Sequence, residues 1–121
     1  MADEALSLRL EKYEGPLDLL LKLIEKNKIN IYDIPIAEIT EQYMAYLSGM
    51  EREDLDQLSE FLLMAATLLD IKARMLLPRE VDQETGEEVD PRAELVNRLL
   101  EHKKYKLMAE ELADREFDAY K

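Results

Sequence analysis

One long apolar stretch, from Leu55 to Pro78, constrains the fold more than any other part of the chain. It reads LDQLSEFLLMAATLLDIKARMLLP and predicts a single helix of about six turns. Pro78 is expected to end the helix, because proline cannot donate the next backbone hydrogen bond. The apolar side chains cover an arc of about 200°, which is wider than a helix packed on a single neighbour needs. The helix therefore has two apolar faces to bury.

Two seams run along this helix, and both have the alternating spacing of three and four residues that is typical of coiled coils. We expect the first seam to face a partner, because methionine side chains suit a surface that repacks on binding. We expect the second seam, which Lys72 interrupts, to face the chain's own core. The first seam consists of Phe61, Met64, Leu68, Ile71 and Met75, and the second of Leu58, Leu62, Ala65, Leu69 and Leu76.

Two alternatives to this assignment remain open. In the first, the helix is the centre of a small bundle and its own chain covers both seams. In the second, the chain is a homo-oligomeric helical interaction module, and the seam that the core does not use meets the same seam of another copy.

The rest of the amino-terminal region predicts two shorter helices. Pro16 suits the first position of one helix, and Pro35 lies at the start of the next. Before them, Leu6, Leu8 and Leu10 alternate with polar residues, which is typical of a strand but equally of an apolar arm across a bundle. The predicted fold class for residues 1–78 is therefore all-α, a three-helix bundle with a long third helix. The apolar stripes of the two short helices are Leu17, Leu20, Leu21 and Ile24, and Ile36, Ile39, Tyr43, Tyr46, Leu47 and Met50.

The chain changes character after Pro78. Residues 79–90 are acidic and nearly free of apolar side chains, so we predict a solvated tether. Asp90 and Pro91 then restart a helix over 91–121 whose apolar residues lie on shifting faces. Such a helix has no evident place in a three-helix core and is interpreted as a segment that binds a partner. The alternative is that it folds back on the bundle and covers the seam that the core does not use. Its apolar residues are Leu95, Leu99, Leu100, Tyr105, Leu107, Met108 and Leu112.

The side chains needed for catalysis or metal binding are sparse. There is no cysteine and only one histidine, His102, which we expect to be a solvated or rim residue. No Glu-x-x-His or His-x-x-x-His spacing offers a metal site, and the three scattered glycines form no phosphate-binding loop. We therefore predict a protein without enzymatic activity or cofactor.

Net charge and hydropathy limit the classes of partner that this chain is expected to bind. The formal net charge of −12 argues against direct binding to nucleic acid, which requires clustered basic residues. An acidic mimic of nucleic acid would gather its carboxylates on one surface, whereas here they are spread along the chain. No apolar run approaches the length of a membrane span and the start lacks a secretory pattern, so we expect no membrane association and a cytoplasmic location.

Three motifs resemble those of a known family. YEGPLDLLL from Tyr13, IYDIPIAEIT from Ile31, and FLLMAATLL from Phe61 followed by ARMLLP closely resemble bacterial and archaeal segregation and condensation protein A. This family is the kleisin subunit of the condensin-like complex built on a structural-maintenance-of-chromosomes (SMC) ATPase. Its members continue further than this chain, which resembles their amino-terminal part.

The resemblance implies a role for each region. Residues 1–78 would bind the coiled-coil neck of the SMC ATPase through the long helix, mapped here onto the first seam and Lys72. Residues 79–90 would be an acidic linker, and 91–121 would bind a dimer of the companion winged-helix protein, segregation and condensation protein B. The implied function is that of a non-enzymatic scaffold in chromosome condensation and segregation, associated with the nucleoid.

Overall fold

The computed structural model describes residues 13–50 and 55–119, without the side chains of 55–57 and 116–119. These residues form four helices, so the predicted all-α class is confirmed. The predicted strand or arm at Leu6–Leu10 lies outside the described residues. The helices are α1 (Pro16–Lys26), α2 (Ile36–Ser48), α3 (Leu55–Met75) and α4 (Ala93–Ala119).

Helix α1 is bounded by two residues with positive φ. Gly15 precedes it with a φ of 104°, a conformation that glycine adopts without strain, and Pro16 follows at the first helical position. At the other end, the Lys28 N–H donates to the Glu25 carbonyl and the Ile29 N–H donates to the Ile24 carbonyl. These two bonds form a Schellman motif. Lys28 has a φ of 54°, so a lysine occupies the position that usually carries glycine.

Helices α2 and α3 form the largest contact in the bundle, and α1 packs on α2 and more lightly on α3. The Tyr43 hydroxyl joins α2 to α3, because it donates a buried hydrogen bond of 2.7 Å to the Phe61 carbonyl. The two rings also stack, with centroids 6.4 Å apart. Burial raises the pKa of the Tyr43 hydroxyl far above its usual value. The phenol is therefore a fixed donor that sets which turn of α3 lies against α2.

Helix α4 corrects the prediction of a three-helix core. Leu95 and Leu99 are fully buried and belong to the same core as α1, α2 and α3, and α4 packs chiefly on α1. Burying each of these leucines contributes about 1.5–3 kcal/mol. The helix folds back on the bundle but does not cover the seam that the core leaves free, because Leu62, Leu69 and Leu76 remain exposed.

The linker between α3 and α4 is exposed, as expected of an acidic segment, but it is not an extended tether. The Asp82 N–H donates to the Glu87 carbonyl over 2.8 Å, and the Val89 N–H donates to the Glu80 carbonyl over 2.7 Å. Val81 and Glu88 form an antiparallel bridge, and Gly86 has the positive φ of 73° that a tight reversal needs. This hairpin turn returns the chain so that α4 can pack beside α1.

Candidate partner-binding surfaces

The first seam of α3 is the core seam. Phe61, Met64, Leu68 and Ile71 are buried, with Leu68 at 0% exposure, and Met75 is partly buried against them. The prediction that this seam is exposed for a partner is wrong in the free chain. The physical reason is the contact with α2. The Tyr43 hydroxyl donates a hydrogen bond to the Phe61 carbonyl and the two rings stack, so Phe61 and its seam face α2.

Three leucines of the second seam, Leu62, Leu69 and Leu76, are exposed together with Ala66 and Ala73, and we call these five residues the outer stripe. Leu62 is 51% exposed, Leu69 47% and Leu76 83%. Leu62 and Leu69 are seven residues apart, so they lie about 10 Å apart along one line of α3, and Leu76 follows one residue after the end of the helix. The prediction that this seam faces the core is wrong for them, although it holds for the buried Ala65.

Lys72 and two further leucines frame the outer stripe. Lys72 is exposed between the core seam and the outer stripe. Leu63, at 71% exposure, and the exposed Leu77 lie on its other side. Isolated exposed leucines are common on protein surfaces, whereas a continuous exposed row indicates an interaction site.

One signal in the sequence distinguishes the two seams. Only the first contains an aromatic residue, Phe61, and large aromatic side chains dominate small protein cores. The outer stripe instead combines leucines with Ala66 and Ala73, which leave room for a helix to approach. The methionines Met64 and Met75 fill the core here, which is the other common use of this side chain.

The predicted companion-binding residues of α4 are divided between two environments. Leu95 and Leu99 are buried in the bundle and Leu100 is partly buried, so they are not available on the surface of the docked helix. The exposed residues, which we call the distal patch, are Tyr105, Leu107, Met108 and Leu112.

Arg92 anchors the start of α4 to the bundle. Its Nη1 donates to the Ile34 carbonyl over 2.8 Å and to Asp33 Oδ1 over 2.9 Å. Its Nη2 donates to Asp90 Oδ2 over 2.9 Å. The hydrogen bond from Arg92 holds the pKa of the Asp90 carboxyl below its usual value, and the same bond raises the pKa of Arg92.

A buried carboxylate, which sequence reasoning missed, anchors the middle of α4. Asp18 in the first turn of α1 is 1% exposed, and its Oδ2 accepts a hydrogen bond from the Glu14 N–H over 3.1 Å. Its Oδ1 accepts one from Lys106 Nζ of α4 over 2.5 Å. This hydrogen bond raises the pKa of the Lys106 ammonium above its usual value.

His102 belongs to the same cluster, and of the two predicted environments, solvent or rim, it occupies the rim. Its side chain is largely buried, and Nε2 lies 4.0 Å from Asp18 Oδ1 without a hydrogen-bond partner. The ring stacks on Tyr105 with centroids 6.4 Å apart. The spacing of His102 and Lys106, one helical turn, is the signal that places both opposite one carboxylate.

The described residues offer little for catalysis. Among them, no group of three or more histidines, cysteines or carboxylates is placed to hold a metal ion. An open groove of about 470 Å³ lies between the start of α1, α3 and α4. Gly15, Leu63, Thr67, Arg98 and His102 contribute to its mixed lining. Across the same described ranges, no helix is both long and apolar enough to cross a membrane.

Comparison with known proteins identifies relatives along nearly the whole chain. The family model described as "Segregation and condensation protein ScpA" matches residues 23–121. Proteins named segregation and condensation protein A are similar in Brevibacillus brevis (53% identity over 93% of this chain), Bacillus cytotoxicus (54% over 91%) and Bacillus subtilis (50% over 98%). The matches cover 47%, 46% and 49% of those relatives. The chain therefore spans about half the length of the curated relatives it matches.

Proposed function

The chain belongs to the segregation and condensation protein A family, and from this premise we propose that it is a non-enzymatic kleisin scaffold in chromosome condensation and segregation. It would bind the coiled-coil neck of an SMC ATPase and a dimer of segregation and condensation protein B. It would act in the cytoplasm at the nucleoid.

The outer stripe of α3 is the observation that carries the proposal for the neck. Leu62 and Leu69 are exposed on α3 with a seven-residue spacing, which the exposed Leu76 continues in the sequence just after the helix. A coiled coil presents its own side chains with the same repeat, so a helix of the neck can run along this line and interdigitate with it. Lys72 at the edge of the stripe is placed to meet an acidic side chain of the partner. We therefore assign the neck to the outer stripe rather than to the core seam.

The distal patch of α4 supports the proposal for the companion protein. Tyr105 is 64% exposed and lies beside the exposed Lys103 and Lys104. Tyrosine provides a large contact area with a polar end and is enriched at protein interfaces. Flanking lysines would select a partner surface that carries acidic groups.

Substitution of adjacent leucines in α3 tests the neck assignment. Leu69→Glu places a charge on the outer stripe, where water already reaches it, so we expect a folded chain that no longer binds the purified neck. Leu68→Glu buries an unpaired charge in the core and should unfold the chain. Circular dichroism measures folding, and titration calorimetry with the neck measures binding.

Two results would contradict the assignment. A Leu69→Glu chain that binds the neck with unchanged affinity removes the outer stripe from the interface. A wild-type chain that forms dimers in sedimentation equilibrium, with Leu69→Glu converting them to monomers, favours the homo-oligomeric module instead.

A further inference from the structure

Asp18 has a counter-ion that comes from a distant part of the chain. The carboxylate lies in α1 and is almost completely buried, whereas Lys106 is 88 residues later, in the middle of α4. A buried ion pair that loses one partner leaves an uncompensated charge, which is strongly destabilising. The position of α4 on α1 therefore depends on this pair.

Several other charged groups surround the Asp18–Lys106 pair. His102 Nε2 faces the same Asp18 oxygen from one turn earlier on α4, and Glu14 and Glu110 act on the Lys106 ammonium through space. A small groove of about 180 Å³ beside the pair is lined by further charged side chains, Lys22, Glu25 and Lys103. Lys106 is therefore the direct hydrogen-bond partner of Asp18 from α4, whereas Lys22, Glu25 and Lys103 only line the groove beside the pair.

The pair lies at the boundary between the docked and the free part of α4. Leu95 and Leu99, before it, are buried against the bundle. Leu107, Met108 and Leu112, after it, are exposed. Between Leu100 and Lys106, His102 also faces α1, because its Nε2 lies close to the same Asp18 oxygen.

We propose that Asp18 and Lys106 form a latch that gives α4 two positions. In the closed position, which the structure shows, the bundle hides Leu95 and Leu99, and only the distal patch is available. In the released position, Asp18 and Lys106 return to water and the whole apolar stripe from Leu95 to Leu112 is free. The latch thereby opposes a partner that grips α4 along its length. This last step rests on the proposed function, because the companion protein is that partner.

Hydrogen exchange on the isolated chain tests the latch without any partner. Asp18→Asn removes the charge that holds Lys106, and Lys106→Met leaves the carboxylate unpaired. We expect each variant to accelerate exchange of the amides of residues 95–106 about ten-fold, the factor for a loss of ~1.4 kcal/mol. Lys103→Met is the matched control, since it removes the same charge from an exposed position on the same helix.

We expect the control to exchange within about two-fold of wild type. If both latch variants also stay within that range, the latch proposal is wrong. Far-UV circular dichroism checks that the variants fold. If Asp18→Asn does not fold, Lys106→Met decides the question alone.

Binding of the purified companion dimer tests the coupling. Asp18 lies under α4, on α1, so replacing it leaves the surface of α4 unchanged. Because apparent affinity scales with the population of the competent state, we expect Asp18→Asn to bind about five-fold more tightly than wild type. Glu25→Gln, on the exposed side of α1, is the control and should bind as wild type does.

Unchanged or weaker binding by Asp18→Asn would overturn the two-position model. Failure of the wild-type chain to bind the companion would overturn the proposed function instead. The exchange result would then still decide whether the latch exists.

Discussion

Replacing two adjacent leucines of α3 by alanine measures which seam stabilises the bundle. Leu68→Ala and Leu69→Ala delete the same atoms from neighbouring positions in the middle of one helix. Helix propensity and the effect on the unfolded chain are therefore nearly equal in the two variants. What differs is burial, because Leu68 is completely buried and Leu69 is about half exposed.

Burial sets the expected magnitudes. A fully buried leucine replaced by alanine costs about 2–5 kcal/mol, since the transfer term and the cavity term add. For Leu69, about half of the three deleted carbons are in contact with protein, which gives about 1 kcal/mol and no closed cavity. A chain of 121 residues loses about 4 °C of thermal midpoint per kcal/mol. We expect a fall of about 8–20 °C for Leu68→Ala and about 4 °C for Leu69→Ala.

The assay is thermal unfolding followed by circular dichroism, at two protein concentrations about ten-fold apart because self-association makes the midpoint depend on concentration. Equal destabilisation by the two substitutions, or a larger effect of Leu69→Ala, would refute the division into a core seam and an outer stripe. A midpoint that rises with concentration in wild type, but not in Leu69→Ala, would show that the outer stripe is covered by another copy.

Single substitutions at three further residues have predictable effects on stability. Lys28→Gly should raise the free energy of unfolding by about 0.5–1 kcal/mol, because glycine adopts the left-handed conformation without strain; urea unfolding measures this, and a loss of stability would contradict it. Thr40→Val should add about 1 kcal/mol, since the buried Thr40 hydroxyl has no hydrogen-bond partner; destabilisation in the same assay would indicate a bound water. Arg92 lowers the pKa of Asp90, so the contribution of Asp90 is present above its unfolded pKa of about 3.9 and is lost as the pH falls through its lower folded pKa. Asp90→Asn should therefore flatten the fall of the thermal midpoint below about pH 4, and an unchanged pH profile would show that the bond contributes nothing.

The buried Asp18 illustrates a site that local pattern reading does not reveal. Asp18 follows Pro16 in the first turn of α1, where an acidic residue is favoured by the helix dipole and is usually solvated. Lys106 lies in a basic run that suggests a partner outside the chain. Each residue has a sufficient local explanation, so neither indicates the other across 88 positions.

The amino-acid sequence by itself determined the helices. Proline at 16 and 35, together with apolar residues at helical spacing, predicted α1 and α2, and the run ending before Pro78 predicted α3. The start of α4 after Pro91 was also predicted. These features are local, because helical hydrogen bonds and the conformational limits of proline act within a few residues.

The tertiary structure alone decided which faces are buried. Both seams of α3 satisfy the same spacing, and the choice between them depends on the surface that α2 presents through Tyr43. The docking of α4 depends likewise on the hairpin turn at Gly86, which directs the chain back, and on Asp18, which supplies a buried charge for Lys106. The period of a helix is a property of one segment, whereas burial is a property of pairs of segments distant in sequence. For this reason the class of the fold was predictable, and the surface left for partners was not.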